Sequence, residues 1–283
     1  MTPDILWLDR PGCDDPRVVG GKAANLGRLA AAFPVPPGFC LTAAAHARWA
    51  GREPVPEALV RAVTDAHAEL AARCGADPVV AVRSSAVDED GASASFAGMF
   101  LSCLNVQGVP DILAAIARCW ASAADPRVLA YRSEHGVPGG GVGVLVQQLV
   151  PADVAAVVFS VHPASGASDE LVIDANWGLG ESVVGGLVTP DEWVLRRSDL
   201  ATLRFRLGDK AKMTVRADAG TREVPVLRTL RARPCLADEQ LRALGELALR
   251  LEATMGWPVD LECAFADGRL HLLQCRPITT LRR

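Results

Sequence analysis

Three strand-like apolar runs follow one another near the middle of the chain with only turns between them. They are GVLVQQLV at 143–150, VAAVVFSV at 154–161 and LVIDA at 171–175. Pro151 forces the exit from the first, because its ring fixes φ and removes an N–H, and HPASG turns the chain after the second. WVLRR at 193–197 resumes an extended pattern beyond the loop NWGLGE. Helical segments surround these strands. AANLGRLAAA follows Gly20-Gly21-Lys22 and ends before Phe33-Pro34, and Pro34, Pro36 and Pro37 demand a rigid loop. Thr42 can cap AAAHARWA, a further helix over 57–73 begins just after Pro56, and another is predicted over 110–121. Between 239 and 254, Leu241, Leu244, Ala248 and Leu251 share one helical face until Gly256 stops it. Helices mixed with adjacent strands predict an α+β fold with two lobes and a cleft rather than a simple Rossmann repeat. Neither GxGxxG nor GxxxxGK[ST] occurs, so the nucleotide families built on those loops lose support.

The C-terminal stretch reads as a β-hairpin: DLECAF, a DGR turn, then LHLLQC. Alternation puts Asp260 and Glu262 on one face of the first strand and Leu261 and Cys263 on the other. Gln274 lies near the end of the partner strand, with Arg276 two residues along on the same face. Where Glu262 and Gln274 converge, a carboxylate and an amide oxygen suit a hard ion such as Mg²⁺, and Arg276 suits phosphate. The bland alternative is a hydrogen-bonded pair or salt bridge at a sheet edge, with Asp260 a competing ligand or an outer partner.

Weaker signals lie upstream. Lys22 stands at a helix N-terminus whose amides can hold an anion; it can equally be a solvated lysine in an ordinary loop. PVVAV at 78–82 predicts a strand presenting Arg83, Ser84 and Ser85 at its end, where a planar guanidinium can grip phosphate or pair with the Asp88-Glu89-Asp90 cluster. Ser93–Gly98 is small enough to close over phosphates or to be a surface loop, and a strand is predicted over 99–106. Gln148, at a strand edge, can present backbone to an adenine. NWGLGE can hold ribose or phosphate, or simply pack the chain tightly. The histidines at 46, 67, 135, 162 and 271 lack ligand spacing and read as structural or surface residues; His162 borders the expected cleft.

Net charge is -4, which gives no general electrostatic case for nucleic acid. A 50% hydrophobic and 22% charged composition supports a core and argues against wholesale disorder. The eight cysteines form no CxxC pair and read as reduced thiols; Cys263 and Cys275 could be cross-strand neighbours without making a zinc site. No apolar run reaches the roughly 18 residues of a membrane span, and the acidic start MTPDILWLDR is unlike a signal peptide, so cytoplasm is the expected location.

Taken together, GGKAANLGRL, FPVPPGFCLT, VAVRSSAVDEDGASASFAG, LNVQG, AYRSEHG, VLVQQLVP, NWGLGESVVGGLVTPDEWVL, LGDKAKM and VDLECAFADGRLHLLQCRPITT run from residue 20 to residue 280. In that order they resemble the nucleotide-binding domain of the phosphoenolpyruvate synthase and pyruvate phosphate dikinase family, with rifampin phosphotransferase a relative in the same superfamily. The resemblance implies an ATP-grasp fold over residues 1–283, two lobes trapping ATP and Mg²⁺, with an approximate lobe boundary near 136–143 at the glycines 139–141. It implies phosphate positions at Lys22, Arg83 and Arg276, a metal pair at Glu262 and Gln274, an adenine-side segment at Gln148 and a nucleotide contact at Glu181. It also implies a lid at 93–98. Where family synthases commonly read SFAGQQETFLN, this chain reads SFAGMFLSCLN: Met99, Phe100 and Leu101 replace two amides and an acid, and Ser102 keeps a hydroxyl where threonine is common. Ala155-Ala156 replaces a frequent Ser-Gly. No TxxGGxxxH-like segment occurs and there is no room for a pyruvate-binding barrel. The expected activity is therefore phosphorylation of a histidine on a separate partner protein or a further domain, forming AMP and phosphate. A stand-alone kinase or ligase acting on a small molecule, or a non-catalytic nucleotide-binding partner, are the alternatives.

Overall fold

Two antiparallel sheets organise the chain. The computed structural model describes residues 3–75, 77–87, 90–91, 94–95, 101–135 and 141–279. The chain divides into two compact units, Met1–Leu149 with Asp218–Gly220, and Val150–Ala217 with Thr221–Arg283. The division falls after Leu149, while the sequence placed an approximate boundary near 136–143. The intervening strand belongs to the first sheet, where it is paired on both sides.

In the first unit the elements are β1 (Ile5–Trp7), α1 (Pro16–Val19), α2 (Gly21–Leu29), β2 (Gly38–Leu41), α3 (Ala43–Trp49), α4 (Glu57–Cys74) and β3 (Val80–Ala86). The pair β4 (Asp90–Gly91) and β5 (Ala94–Ser95) follows, then β6 (Ser102–Val106), α5 (Gly108–Ser122), α6 (Pro126–His135) and β7 (Val142–Gln148). The sheet runs β1-β2-β7-β3-β6. Alternation sends Val80, Val82 and Ala86 of β3 and Val142, Val144 and Val146 of β7 to one apolar core. Trp49, Leu59, Val63, Leu70, Ile112, Ile116 and Trp120, from α3, α4 and α5, complete that core. The Thr42 cap is made: its hydroxyl accepts from the Ala45 amide at 3.3 Å. Four-residue α1 and β2 escaped the sequence reading because they are too short to show a period.

The second unit contains β8 (Val154–Phe159), β9 (Glu170–Trp177), α7 (Glu181–Val184), β10 (Asp191–Arg196), β11 (Thr202–Arg206), β12 (Lys212–Arg216) and β13 (Thr221–Pro225). It ends with α8 (Arg228–Arg231), α9 (Asp238–Met255), β14 (Val259–Ala266) and β15 (Arg269–Pro277). Its sheet runs β11-β10-β9-β8-β14-β15, antiparallel throughout. The three mid-chain runs are thus β7, at the end of one unit, and β8 and β9, hairpin neighbours in the other. α9 packs against β14 and β8. The hairpin β12–β13 was not foreseen, since KMTVR and TREVP are short, rich in charge and carry few apolar side chains. All eight cysteines are free thiols. Cys263 and Cys275 are diagonal rather than directly opposite: Cys275 faces Leu261, and Cys263 faces Leu272. No described helix is long and apolar enough to cross a membrane.

One buried ion pair ties the return of β10 to the segment after β11. Lys210 and Asp191 have fully buried side chains, with Nζ 2.5 Å from Oδ1. Asp191 also accepts from the amides of Gly208 at 2.7 Å and Cys235 at 2.9 Å, and Lys210 donates to the carbonyls of Gly208 and Arg231. Removing one partner leaves the other charge buried without its counter-ion, which costs about 3–5 kcal/mol. Lys210→Met is therefore expected to destabilise the chain by about that amount in urea unfolding, far more than Lys212→Met, whose Glu223 pair is exposed.

Candidate functional site

The upstream cations stand on α2 and β3. Gly20, with φ of 80°, caps α2, and Lys22 is its second residue. A Cβ on Gly20 would come 1.9 Å from the Ser85 carbonyl oxygen, so glycine is required here by packing against β3. Ser85 then caps the helix from across the fold: its hydroxyl accepts from the Ala23 amide at 3.0 Å. One of the amides available to an anion in the sequence reading is thus already used. Ser84 points the other way, donating to the Leu101 carbonyl at 2.8 Å, and both serines are wholly buried. Both hydroxyls thus serve the packing around Arg83, whose guanidinium was the expected phosphate grip.

Arg83 is also not at a strand end. β3 continues to Ala86 because it pairs with β7 along its whole length. Arg83 lies opposite Leu145 on one side and Ser102 on the other, so the two candidate residues Arg83 and Ser102 share one face. Ser102 opens β6 and is exposed. Leu101, in the place of the family's acid, packs against the first unit's core. Met99, Phe100, Asp88, Glu89 and most of the 93–98 segment lie outside the described residues.

Gln148 is the second correction. β7 lies between β2 and β3, so it is no strand edge. The Gln148 amide donates to the Pro37 carbonyl at 2.9 Å, and the Leu149 amide to that of Val79 at 2.9 Å. Its neighbour Gln147 is buried with its side chain donating to the Pro36 carbonyl at 3.1 Å. The proline loop expected from the sequence is held by these bonds.

In the second unit, Gln274 stands directly opposite Glu262, and Arg276 directly opposite Asp260. Arg276 Nε donates to Asp260 Oδ2 at 2.8 Å. Asp260 Oδ1 is closed off from solvent without a hydrogen-bond partner. Burial pushes the Asp260 carboxyl above its ordinary range, Arg276 pulls it back and Glu262 adds to the rise. On its other side Glu262 faces Val157 of β8, which faces Asp174 of β9, which faces Glu192 of β10, which faces Arg206 of β11. Cross-strand partners share a face, so Gln274, Glu262, Asp174, Glu192 and Arg206 form one polar row. Glu192 and Arg206 are paired at 3.0 Å. All-oxygen donors at Glu262 and Gln274, with the spare Asp260 oxygen beside them, fit a hard divalent ion such as Mg²⁺. Among the described residues no group of three or more His, Cys, Asp or Glu is gathered in metal-holding geometry.

Glu181 opens α7, and its Oε2 is buried without a partner. The loop before it owes its glycine to packing: Gly178 has φ of 77°, and a Cβ there would lie 2.4 Å from the Thr214 carbonyl oxygen. Asn176, wholly buried, donates to Ser182 Oγ and the Lys212 carbonyl, both at 2.9 Å. His162 Nδ1 accepts from the amides of Ala164 and Ser165, each at 3.3 Å, and so serves its own turn.

Asp174 was missed in the sequence; its only signal was a lone acid inside the apolar run LVIDA. Its Oδ1 is buried and unbonded, and burial together with Glu192 raises its pKa to about 6. The folded state therefore favours the protonated acid. The stability this contributes is complete below the ordinary value near 3.8 and is lost as pH rises through about 6. Asp174→Asn is expected to flatten that part of the stability–pH curve and to be more stable than the parent at pH 7–8, by up to about 3 kcal/mol in urea titrations.

Residues 47–283 match the protein family described as "Pyruvate phosphate dikinase, AMP/ATP-binding domain". A "Probable phosphoenolpyruvate synthase" of Methanothermobacter thermautotrophicus is 37% identical, across 99% of this chain and 47% of that protein. Its counterpart in Methanocaldococcus jannaschii is 35% identical, across 99% of this chain and 27% of that protein. The rifampicin phosphotransferase of Streptomyces sviceus is 36% identical, across 93% and 34% respectively. The chain thus spans about half, or less, of these relatives' length. Among solved structures, the D-alanine-D-alanine ligase of Coxiella burnetii is similar at a TM-score of 0.40 and 10% identity, covering 94% of this chain and 48% of that one.

Proposed function

The chain belongs to the pyruvate phosphate dikinase AMP/ATP-binding domain family, and from that premise we propose that it binds Mg-ATP and serves the nucleotide half-reaction of a phosphotransferase. In this reading the β-phosphoryl group passes to a histidine of a separate partner or further domain, leaving AMP and phosphate. The observation that carries the reading is the register of β14 and β15. It sets Glu262 opposite Gln274, with the Asp260–Arg276 pair alongside on the same face.

Lys22, Arg83 and Arg276 are proposed to contact phosphate, and Ser102 to contact the nucleotide. Gln148 marks the adenine-side segment and Glu181 the ribose side, where its unpartnered oxygen can accept a hydroxyl hydrogen. Glu262 and Gln274 would hold Mg²⁺, which when bound offsets the negative charge of the polyphosphate. Asp260 fixes Arg276 through Nε, one of five N–H donors on the guanidinium, and so orients a cation that would otherwise be a mobile side chain. A pre-oriented cation costs less to reorganise as charge develops on the transferring group.

The direct test is to incubate the chain with Mg²⁺ and ATP labelled at the β-phosphate, with and without a histidine-domain protein encoded beside it. Label on the partner's histidine together with AMP supports the proposal. Turnover that needs only a small acceptor would favour a stand-alone kinase and overturn the requirement for a phosphohistidine partner. For the metal pair, Glu262→Ala is expected to weaken Mg²⁺-dependent ATP binding by about tenfold or more in calorimetry, the scale for losing one charged ligand. Unchanged Mg²⁺ dependence would remove Glu262 from the metal site.

A further inference from the structure

Behind the Arg83–Ser102 pair, two buried thiols lie together in the core of the first unit. Cys103 is on β6, one residue after Ser102 and opposite Val82 of β3. Cys119 is on α5, which packs against both strands. Cys119 Sγ lies 3.7 Å from the carbonyl oxygens of Val82, which is opposite Cys103, and of Leu101, two residues before it. Both thiols belong to the first unit's apolar core. Cys119 is wholly buried and Cys103 is 9% exposed. We propose that Cys103 and Cys119 form a modification site, closing reversibly into an intramolecular disulfide by exchange with a low-molecular-weight disulfide.

The chemistry distinguishes this pair from the other thiols. The neighbouring Cys119 thiol brings the Cys103 thiol down to about 7, and the Arg118 guanidinium assists against burial. Cys119 is raised by its neighbour Cys103 and by burial. Elsewhere burial raises the thiols: Cys13 to about 12, and Cys40, Cys263 and Cys235 likewise upward. The thiolate is the attacking species, and Cys103 is the one of the two that reaches solvent, so Cys103 is the nucleophile. It attacks one sulfur of RSSR, forming a mixed disulfide and releasing RS⁻, which takes up the proton Cys103 lost. Cys119 then loses its proton and attacks the Cys103 sulfur, displacing the second RSH. The two cysteines are oxidised by two electrons, and RSSR is reduced to two RSH.

The position gives the bond a consequence. β6 is an edge strand with a single ladder, to β3. A disulfide to α5 would tie down the strand that carries Ser102 opposite Arg83. The inference stands on the thiols alone and does not depend on the nucleotide reading.

The test is peptide mapping of the full chain after exposure to oxidised glutathione, without reductant, beside thiol counting. Two of the eight thiols are expected to be lost, with one cross-linked peptide joining Cys103 to Cys119 that dithiothreitol reverses. Cys119→Ser is expected to stop at a single glutathione adduct on Cys103, and Cys103→Ser to give neither product. The same reagent on urea-unfolded chain gives mixed linkages and shows that it is active. Retention of all eight thiols in the folded chain, or a cross-link elsewhere, would overturn the proposal even if a serine variant failed to fold.

Discussion

A slip of one residue between β14 and β15 would turn Glu262 to the face that holds Leu261 and Cys263, and bring an apolar side chain out in its place. The register that prevents this is fixed by burial: Leu261 is wholly buried, Cys263 almost so, and neither face tolerates the other's residues. The bulge after Glu262 lets the strands keep that pairing at the polar end while Cys263 meets Leu272 beyond it. The Asp260–Arg276 bond, the Glu262–Gln274 pair and the row running out to Arg206 all follow from this one ladder and its continuation through β8, β9, β10 and β11.

Polar groups are buried in two different ways in the second unit. Asp191 and Lys210 are satisfied: each charge has its counter-ion, and backbone groups complete the hydrogen bonding. Such a node fixes loop geometry and has nothing left to offer a ligand. Asp174, Asp260 and Glu181 each keep a buried oxygen with no partner. An unsatisfied buried acceptor is costly, and proteins tolerate that cost where a ligand or ion supplies the missing donor or charge. The contrast separates groups that hold the fold from groups that can act, among carboxylates indistinguishable by residue type.

Glycines in the family motifs also divide by cause. Gly20 and Gly178 sit at left-handed backbone positions, and at each a side chain would collide with a carbonyl, of Ser85 and of Thr214 respectively. Close packing explains them without any ligand. The phosphate reading of GGK therefore rests on Lys22 at the start of α2 rather than on the glycines. The tight-packing alternative for the NWGLGE loop is realised at Gly178, while Glu181 at its end keeps its own unpartnered oxygen.

The sequence by itself determined much. Periodicity and proline placement predicted the long helices, the Thr42 cap and the C-terminal hairpin, because alternation and capping are local properties of the chain. The mixed α+β class followed from strands adjacent in order, and the ordered motifs pointed to the family. Only tertiary structure decided the rest. Arg83 falls inside β3 because β7 pairs with that strand beyond the apolar run; Gln148 is no edge because β2 returns from far upstream to cover it. Ser85 caps a helix 62 residues away, and Asp174 reaches the Glu262 row through two intervening strand pairings. Pairing between distant strands depends on which edges remain open after collapse, and no local periodicity encodes that.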